Sequence, residues 1–222
     1  MEYTVLSVCP LTDGNFQVSL HGLLSDRQRA VSTFTHPPSN EKTPIILNGN
    51  LHWMVCDKAY KEANGVKADC SNSIVLCNMN SVNFSTIPHP GDQCGLRKKH
   101  NQMELMEMEG RLCFCDASLN RNIVIWILED YEHRIWVKRH VIMVDPLIKF
   151  CGIHHSYGSH VNIGGFYIFN NELLLRVSKS YESHVILYNL QLNTSRRVGQ
   201  ERWNVVAVPH TNSLVYLDAD VN

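Results

Sequence analysis

No apolar stretch of this 222-residue chain approaches 18 residues, so no segment has the length to cross a bilayer as a helix. The start, Met1-Glu2-Tyr3-Thr4-Val5-Leu6, lacks the basic, then apolar, then small-residue order of a secretory signal. Those two absences predict a cytoplasmic or nuclear protein. Charge of one sign is lacking too. With 20 basic and 21 acidic side chains the net charge is -1, which gives no overall attraction to nucleic acid phosphates or to an anionic membrane. Neither is expected as a partner. The eight cysteines (Cys9, Cys56, Cys70, Cys77, Cys94, Cys113, Cys115, Cys151) lack the spacing of an extracellular framework, so buried, reduced thiols are expected rather than disulfides.

Signatures of catalysis are missing as well. There is no Gly-x-Ser-x-Gly elbow, and Asn162-Ile163-Gly164-Gly165-Phe166 lacks the lysine and following helix of a phosphate-binding loop, so it reads as a tight turn into Phe166–Phe169. The basic run Arg97-Lys98-Lys99-His100 is short and has no interleaved aromatics, which makes it a solvated loop. Twelve histidines are many for this length, and the densest group is Cys151-Gly152-Ile153-His154-His155-Ser156-Tyr157-Gly158-Ser159-His160. No paired Cys-x-x-Cys or His-x-x-x-His spacing accompanies it, so no metal and no other cofactor is expected. Cys113-Phe114-Cys115 places two thiols on one face of a strand.

What the chain does have is a period. Asn48-Gly49-Asn50-Leu51-His52-Trp53, Glu109-Gly110-Arg111-Leu112-Cys113-Phe114 and Asn170-Asn171-Glu172-Leu173-Leu174-Leu175 are each a polar turn feeding a strand, and their leucines stand 61 residues apart, twice over. Each is followed by a short apolar run rich in branched and aromatic residues: Ser73–Cys77, Ile123–Leu128 and His184–Tyr188. Helical periodicity is weak throughout. Leu112 to Trp126 and Leu173 to Leu187 are both 14 residues, so two units share strand order; Leu51 to Leu76 is longer, with 63–67 taken as an inserted loop. In Ile135–Val141, alternation puts Ile135, Val137 and Val141 on one face and Trp136, Lys138 and His140 on the other. Trp53 and Trp126 fall where sheets would pack, and Trp136 at a rim.

The expected fold is therefore all-β: a single domain over 1–222 of antiparallel four-stranded blades, propeller-like in the kelch manner, incomplete or open. A sandwich is the alternative. Units begin near 48, 109 and 170, and residues 1–47 supply a partial blade and the loop Thr35–Lys42. Three units would not close a ring, which leaves edge strands open to self-association.

The phrases inside the period resemble a plant F-box-associated domain. In that family an N-G-x-L-H-W phrase opens a unit, an F-x-x-I-P-x-P phrase closes it, and a W-x-[LM]-x-[DE]-Y phrase precedes a tryptophan strand. Here they are Asn48–Trp53, Phe84–Pro90 and Trp126–Tyr131 followed by Trp136, in that order, and the resemblance runs from about Ile45 to Leu217. It implies a noncatalytic module that binds a target protein for a Skp/cullin/F-box ubiquitin ligase. An F-box itself would appear as about 45 residues of leucine-rich helix, and Met1–Leu47 shows no such period. Skp and cullin components are thus expected as partners only where an F-box is supplied elsewhere. The other reading is a truncated F-box-associated protein without ligase docking that acts as a competitor or structural binding protein. Binding is expected at loops, with His154, His155 and Tyr157 on a glycine-flanked loop as the residues to contact the partner.

Overall fold

Each of the three recurring phrases is a two-residue hairpin turn. Both central residues have positive φ in every case: Asn48 (51°) and Gly49 (71°), Glu109 (55°) and Gly110 (73°), Asn170 (48°) and Asn171 (61°). Tight loops of that handedness match the right-handed twist of the strands they join, and glycine or asparagine reaches positive φ at least cost. The computed structural model describes residues 4–11, 13, 15–22, 28–39, 42–66, 68–91, 100–118, 121–153, 161–179 and 182–201.

Among the described residues, four antiparallel sheets follow one another. The first has three strands, β1 (Thr4–Pro10), β2 (Phe16–Gly22) and β3 (Gln28–Phe34). The second has β4 (Ile45–Leu47), β5 (Asn50–Met54), β6 (Ile74–Asn78) and β7 (Phe84–Ile87), with helix α1 (Asp57–Asn64) and a 3-10 turn at Cys70–Asn72 between β5 and β6. The third has β8 (Met103–Met108), β9 (Arg111–Asp116), β10 (Asn122–Asp130) and β11 (Ile135–Met143), and helix α2 (Val144–Phe150) leaves it. The fourth has β12 (Asn162–Phe169), β13 (Glu172–Lys179), β14 (Glu182–Asn189) and β15 (Thr194–Glu201). The all-β, four-stranded blade architecture expected from the period is the one observed. The turns at 48, 109 and 170 lie between the first and second strands, so the three four-stranded sheets start earlier, at Ile45, Met103 and Asn162. The first strand escaped the period because β4 has only three residues and β8, Met-Glu-Leu-Met-Glu-Met, lacks β-branched and aromatic residues.

The sheets stack face to face. Leu51, Trp53, Val75 and Cys77 form a core on the side of the second sheet that meets Phe34. Met54, Ile74 and Ile87 on its other side pack with Leu105, Leu112, Phe114 and Leu128 of the third. The far face of the third sheet, with Cys113, Cys115, Ile125 and Ile127, packs on Leu173, Leu175, Ile186 and Tyr188 of the fourth, and Val144, Leu147 and Ile148 of α2 plug that layer. Leu51, Leu112 and Leu173 each occupy the second position of a second strand, and each faces the preceding interface. β8 also lies against β4, β5 and β12, so the first strands gather on one side, as the inner strands of propeller blades do. Cys113 and Cys115 share a face as expected, and burial pushes the Cys113 thiol up to about 12 and the Cys77 thiol to about 11. The seven described cysteines are reduced.

The register corrects several details of the sequence reading. Leu112 would face Leu128 and Leu173 faces Tyr188, whereas Trp126 pairs with Phe114 and Leu187 with Leu174. The equal 14-residue spacing therefore joins Leu112 to a residue on its own face but Leu173 to one on the opposite face, because a one-residue difference in the connection inverts a strand. On β11, Trp126 pairs with Lys138 and Ile125 with His140, so Arg139 is an extra residue in a bulge. His140 consequently leaves the face shared by Trp136 and Lys138, and Val137 and Val141 remain exposed. Gly165 and Phe166 belong to a bulge inside β12 rather than to a turn. The insertion after β5 is helix α1, ended by Gly65 at φ 75°, not a loop. β15, polar and largely exposed, carried no apolar pattern to read.

Candidate functional site

The family-like phrases meet at the joint between the second and third sheets. His52 is fully buried; its Nδ1 lies 3.1 Å from the Ile45 carbonyl and its Nε2 2.6 Å from the Tyr131 hydroxyl. A carbonyl only accepts, so Nδ1 carries the proton and Tyr131 donates to Nε2. Burial lowers the pKa of His52 and pushes the Tyr131 phenol up to about 12, which keeps both neutral. The Trp136 indole donates to the Pro88 carbonyl at 3.2 Å, and the His89 ring stacks on Phe114 at 5.3 Å. These side chains tie one sheet to the next. Trp53 is buried as expected; Trp126 is only half-buried, with Lys138 Nζ 4.9 Å from its ring centre.

A groove of about 1020 Å³ opens between the first sheet and the second. Val8 and Phe16 form one wall, Leu51, Trp53 and Val55 the floor, and α1 the other wall, with exposed Lys58 and Lys61 along it. Pro37, Pro38 and Pro44 shape its mouth. The connection that carries them is held to β5, for Ser39 N–H donates to the Met54 carbonyl and Cys56 N–H to the Pro37 carbonyl. Lys42 on the rim pairs with Glu104 at 2.9 Å and so joins the groove to the third sheet. The buried indole N–H of Trp53 has no partner among the described residues.

Asp57 and His100, at one end of this groove, begin a polar cluster. His100 Nδ1 donates to Asp57 Oδ1 at 2.7 Å and its Nε2 lies 3.8 Å from Cys70 Sγ. Burial works against the charged imidazolium, but the hydrogen bonds to Asp57 and Cys70 outweigh it and raise the His100 pKa. His89 stands beside His100, ring centres 5.6 Å apart, and donates from Nδ1 to the Pro90 carbonyl at 2.9 Å. One atom from each of Cys70, His89 and His100 lies within 4.8 Å of the others. Two imidazoles and a thiol so placed have the donor set of a zinc-type metal.

Sequence reading missed this cluster because its members are far apart in the chain: Cys70 lies in the 3-10 turn before β6, and His89 and His100 at the two ends of the connection from β7 to β8. None of the pairs has ligand spacing. The histidine-rich segment read as the binding loop, His154, His155 and Tyr157, lies outside the described residues, as do Arg97, Lys98, Lys99, Cys94 and Trp203. Its described flank is core: Cys151 and Ile153 are buried behind α2.

Stacked antiparallel blades joined by these phrases define a propeller-type scaffold. The chain belongs to the F-box associated beta propeller domain family, whose pattern matches residues 12–218. The match begins between β1 and β2, well before Ile45, so β2 and β3 are part of the family pattern. Over 119 residues the chain is 24% identical to a protein of Arabidopsis thaliana that bears the name Putative F-box protein, an alignment taking in 53% of this chain and 27% of that one. The chain thus matches about a quarter of the length of that relative. Among solved structures it is similar to the GH43B protein of the Bacteroides ovatus xyloglucan PUL (TM-score 0.44, 10% identity, 86% of this chain and 40% of that one). It is also similar to Aleuria aurantia lectin in complex with α-methyl-L-fucoside (TM-score 0.38, 10% identity, 92% and 65%).

Proposed function

We propose that the chain is a noncatalytic module that binds target proteins for an F-box type ubiquitin ligase, with the groove between the first and second sheets as the place of contact. The groove carries this reading: it joins a buried apolar floor around Trp53 to a charged wall at Lys58 and Lys61. The family phrases, by contrast, spend their polar atoms on ties between sheets and leave recognition to other residues. Docking to Skp and cullin components belongs to an F-box, and the family relationship is what supports it here.

The test compares proximity labelling in plant cells by the wild-type chain and by the charge-reversed pair Lys58→Glu/Lys61→Glu. Both lysines are exposed, so the fold should be unchanged. A target lost with the pair and accumulating when the wild-type protein is depleted supports the reading. Identical labelled sets from the two proteins would remove the groove from it, and targets whose turnover ignores both proteasome and cullin inhibition would remove the ligase.

A further inference from the structure

We propose that Cys70, His89 and His100 form a zinc-type metal site, with Asp57 as the outer partner that orients His100. The proposal is independent of target binding. It rests on the convergence of three soft or borderline donors and on what holds them. Zn–S and Zn–N bonds of about 2.3 and 2.05 Å set the S···N edge of a tetrahedral site at about 3.6 Å. Cys70 Sγ and His100 Nε2 are 3.8 Å apart. The whole trio lies within 4.8 Å, so an ion draws it together by movements of about 1 Å at most, the scale set by those same edges.

The surroundings also suit a metal. Nδ1 of His89 is engaged by the Pro90 carbonyl and Nδ1 of His100 by the Asp57 carboxylate, which fixes both rings as Nδ1–H tautomers and makes Nε2 the coordinating atom of each. Carboxylate or carbonyl behind a ligating histidine is the recurring outer arrangement of such sites. The stack of His89 on Phe114, rings 5° from parallel, holds that ring in place. Asp57 and His100 line the groove, which gives an ion a path from solvent.

Cys70, His100 and Asp57 alone have the order of a thiol nucleophile, base and orienting carboxylate. A nucleophile of that kind has no use for a second imidazole at the same point, whereas coordination does. On binding, Cys70 becomes the thiolate ligand and releases its proton to water. The ion would link the start of β6, the end of β7 and the approach to β8, and so fasten the connection between the second and third sheets.

The test is titration of the chelator-treated full chain with cobalt(II), followed by displacement with zinc. One equivalent should give the visible bands of a tetrahedral ion with thiolate-to-cobalt charge transfer, and zinc should raise Tm. Cys70→Ser should abolish the charge-transfer band, and His89→Phe, which keeps the stack on Phe114, should weaken affinity at least 100-fold. Asp57→Asn should weaken it about 10- to 100-fold with the spectrum intact. Zinc should also protect Cys70 from iodoacetamide in the unaltered chain, read by mass spectrometry, a result that needs no variant to fold. A folded chain without stoichiometric cobalt binding, or variants at Cys70 and His89 that bind as tightly as wild type, would overturn the site. Equal alkylation of Cys70 with and without zinc would assign the cluster to hydrogen bonding or to a reactive thiol instead.

Discussion

Removing one oxygen, by Tyr131→Phe, should measurably loosen the joint between the second and third sheets. His52 Nε2 would lose its donor at 2.6 Å while the ring stays fully buried, because Nδ1 still holds the Ile45 carbonyl. An acceptor left buried without a donor costs about 1–3 kcal/mol. At about 2 kcal/mol, and with 1 kcal/mol moving Tm by roughly 2–4 °C for a chain of this size, Tm should fall by roughly 4–8 °C. The better measurement is a double-mutant cycle in urea followed by tryptophan fluorescence, with the m-value checked for constancy. His52→Leu also abandons the Ile45 carbonyl, but that loss occurs in both the single and the double variant and cancels. The pair His52→Leu/Tyr131→Phe should therefore lose less than the sum of the singles, by about 1 kcal/mol or more. Additivity within about 0.5 kcal/mol, or a Tyr131→Phe protein as stable as wild type, would refute the idea that these two residues hold the sheets together.

Glu109→Asn should stabilise the third sheet by roughly 1 kcal/mol, since glutamate now sits at φ 55°, while Gly110→Val should cost about 1–2 kcal/mol at φ 73°; urea midpoints moving the other way would contradict the turn geometry. Trp53→Ala should cost about 3–5 kcal/mol, and Trp126→Ala clearly less, because Trp53 is 1% exposed and Trp126 only half-buried. Equal losses would mean that the two tryptophans share one environment. For pH, His52 has a folded pKa below its unfolded value, so the unfolded chain binds the proton more readily between the two. His52 then contributes a loss of stability as pH falls below about 6.5. Denaturation midpoints at pH 7 and 5 should differ less in His52→Gln than in wild type; an unchanged difference would show that His52 is not the group responsible.

How far the sequence could be read depended on how local each feature is. A hairpin with two positive-φ residues must be built from glycine, asparagine or an unfavoured residue at fixed positions, so Asn48-Gly49, Glu109-Gly110 and Asn170-Asn171 announced themselves and gave the architecture. Strand faces are less local. The bulge at Arg139 inverts half of β11 without any residue type that demands it, and the alternation in Ile135–Val141 pointed the wrong way for His140. The cluster of Cys70, His89 and His100 is less local again, for it joins the connection before β6 to both ends of the connection between β7 and β8, residues 11 to 30 positions apart.

That ordering bears on what the family resemblance can tell about function. The phrases that carry it supply His52, Tyr131, Trp136 and the Pro88-His89-Pro90 segment, and their side chains or carbonyls cross from the second sheet to the third. They specify how blades are joined, which is a requirement every member with this joint must meet whatever it binds. A partner has to be chosen by residues outside those phrases, and α1 is such a segment: it occupies the first of the three spacings and extends it relative to the other two. None of its residues is fully buried, and it is held by Tyr60, which packs against the core around Trp53 and on the His36 ring, and by Asp57. A helix with so little of its own surface committed to the fold can change sequence at Lys58, Lys61 and Glu62 without disturbing the sheets. Target choice is therefore expected to vary there while the joint stays the same, and exchanging Lys58, Lys61 and Glu62 for the residues of another family member, with Tyr60 kept against the core, should transfer binding preference at unchanged stability.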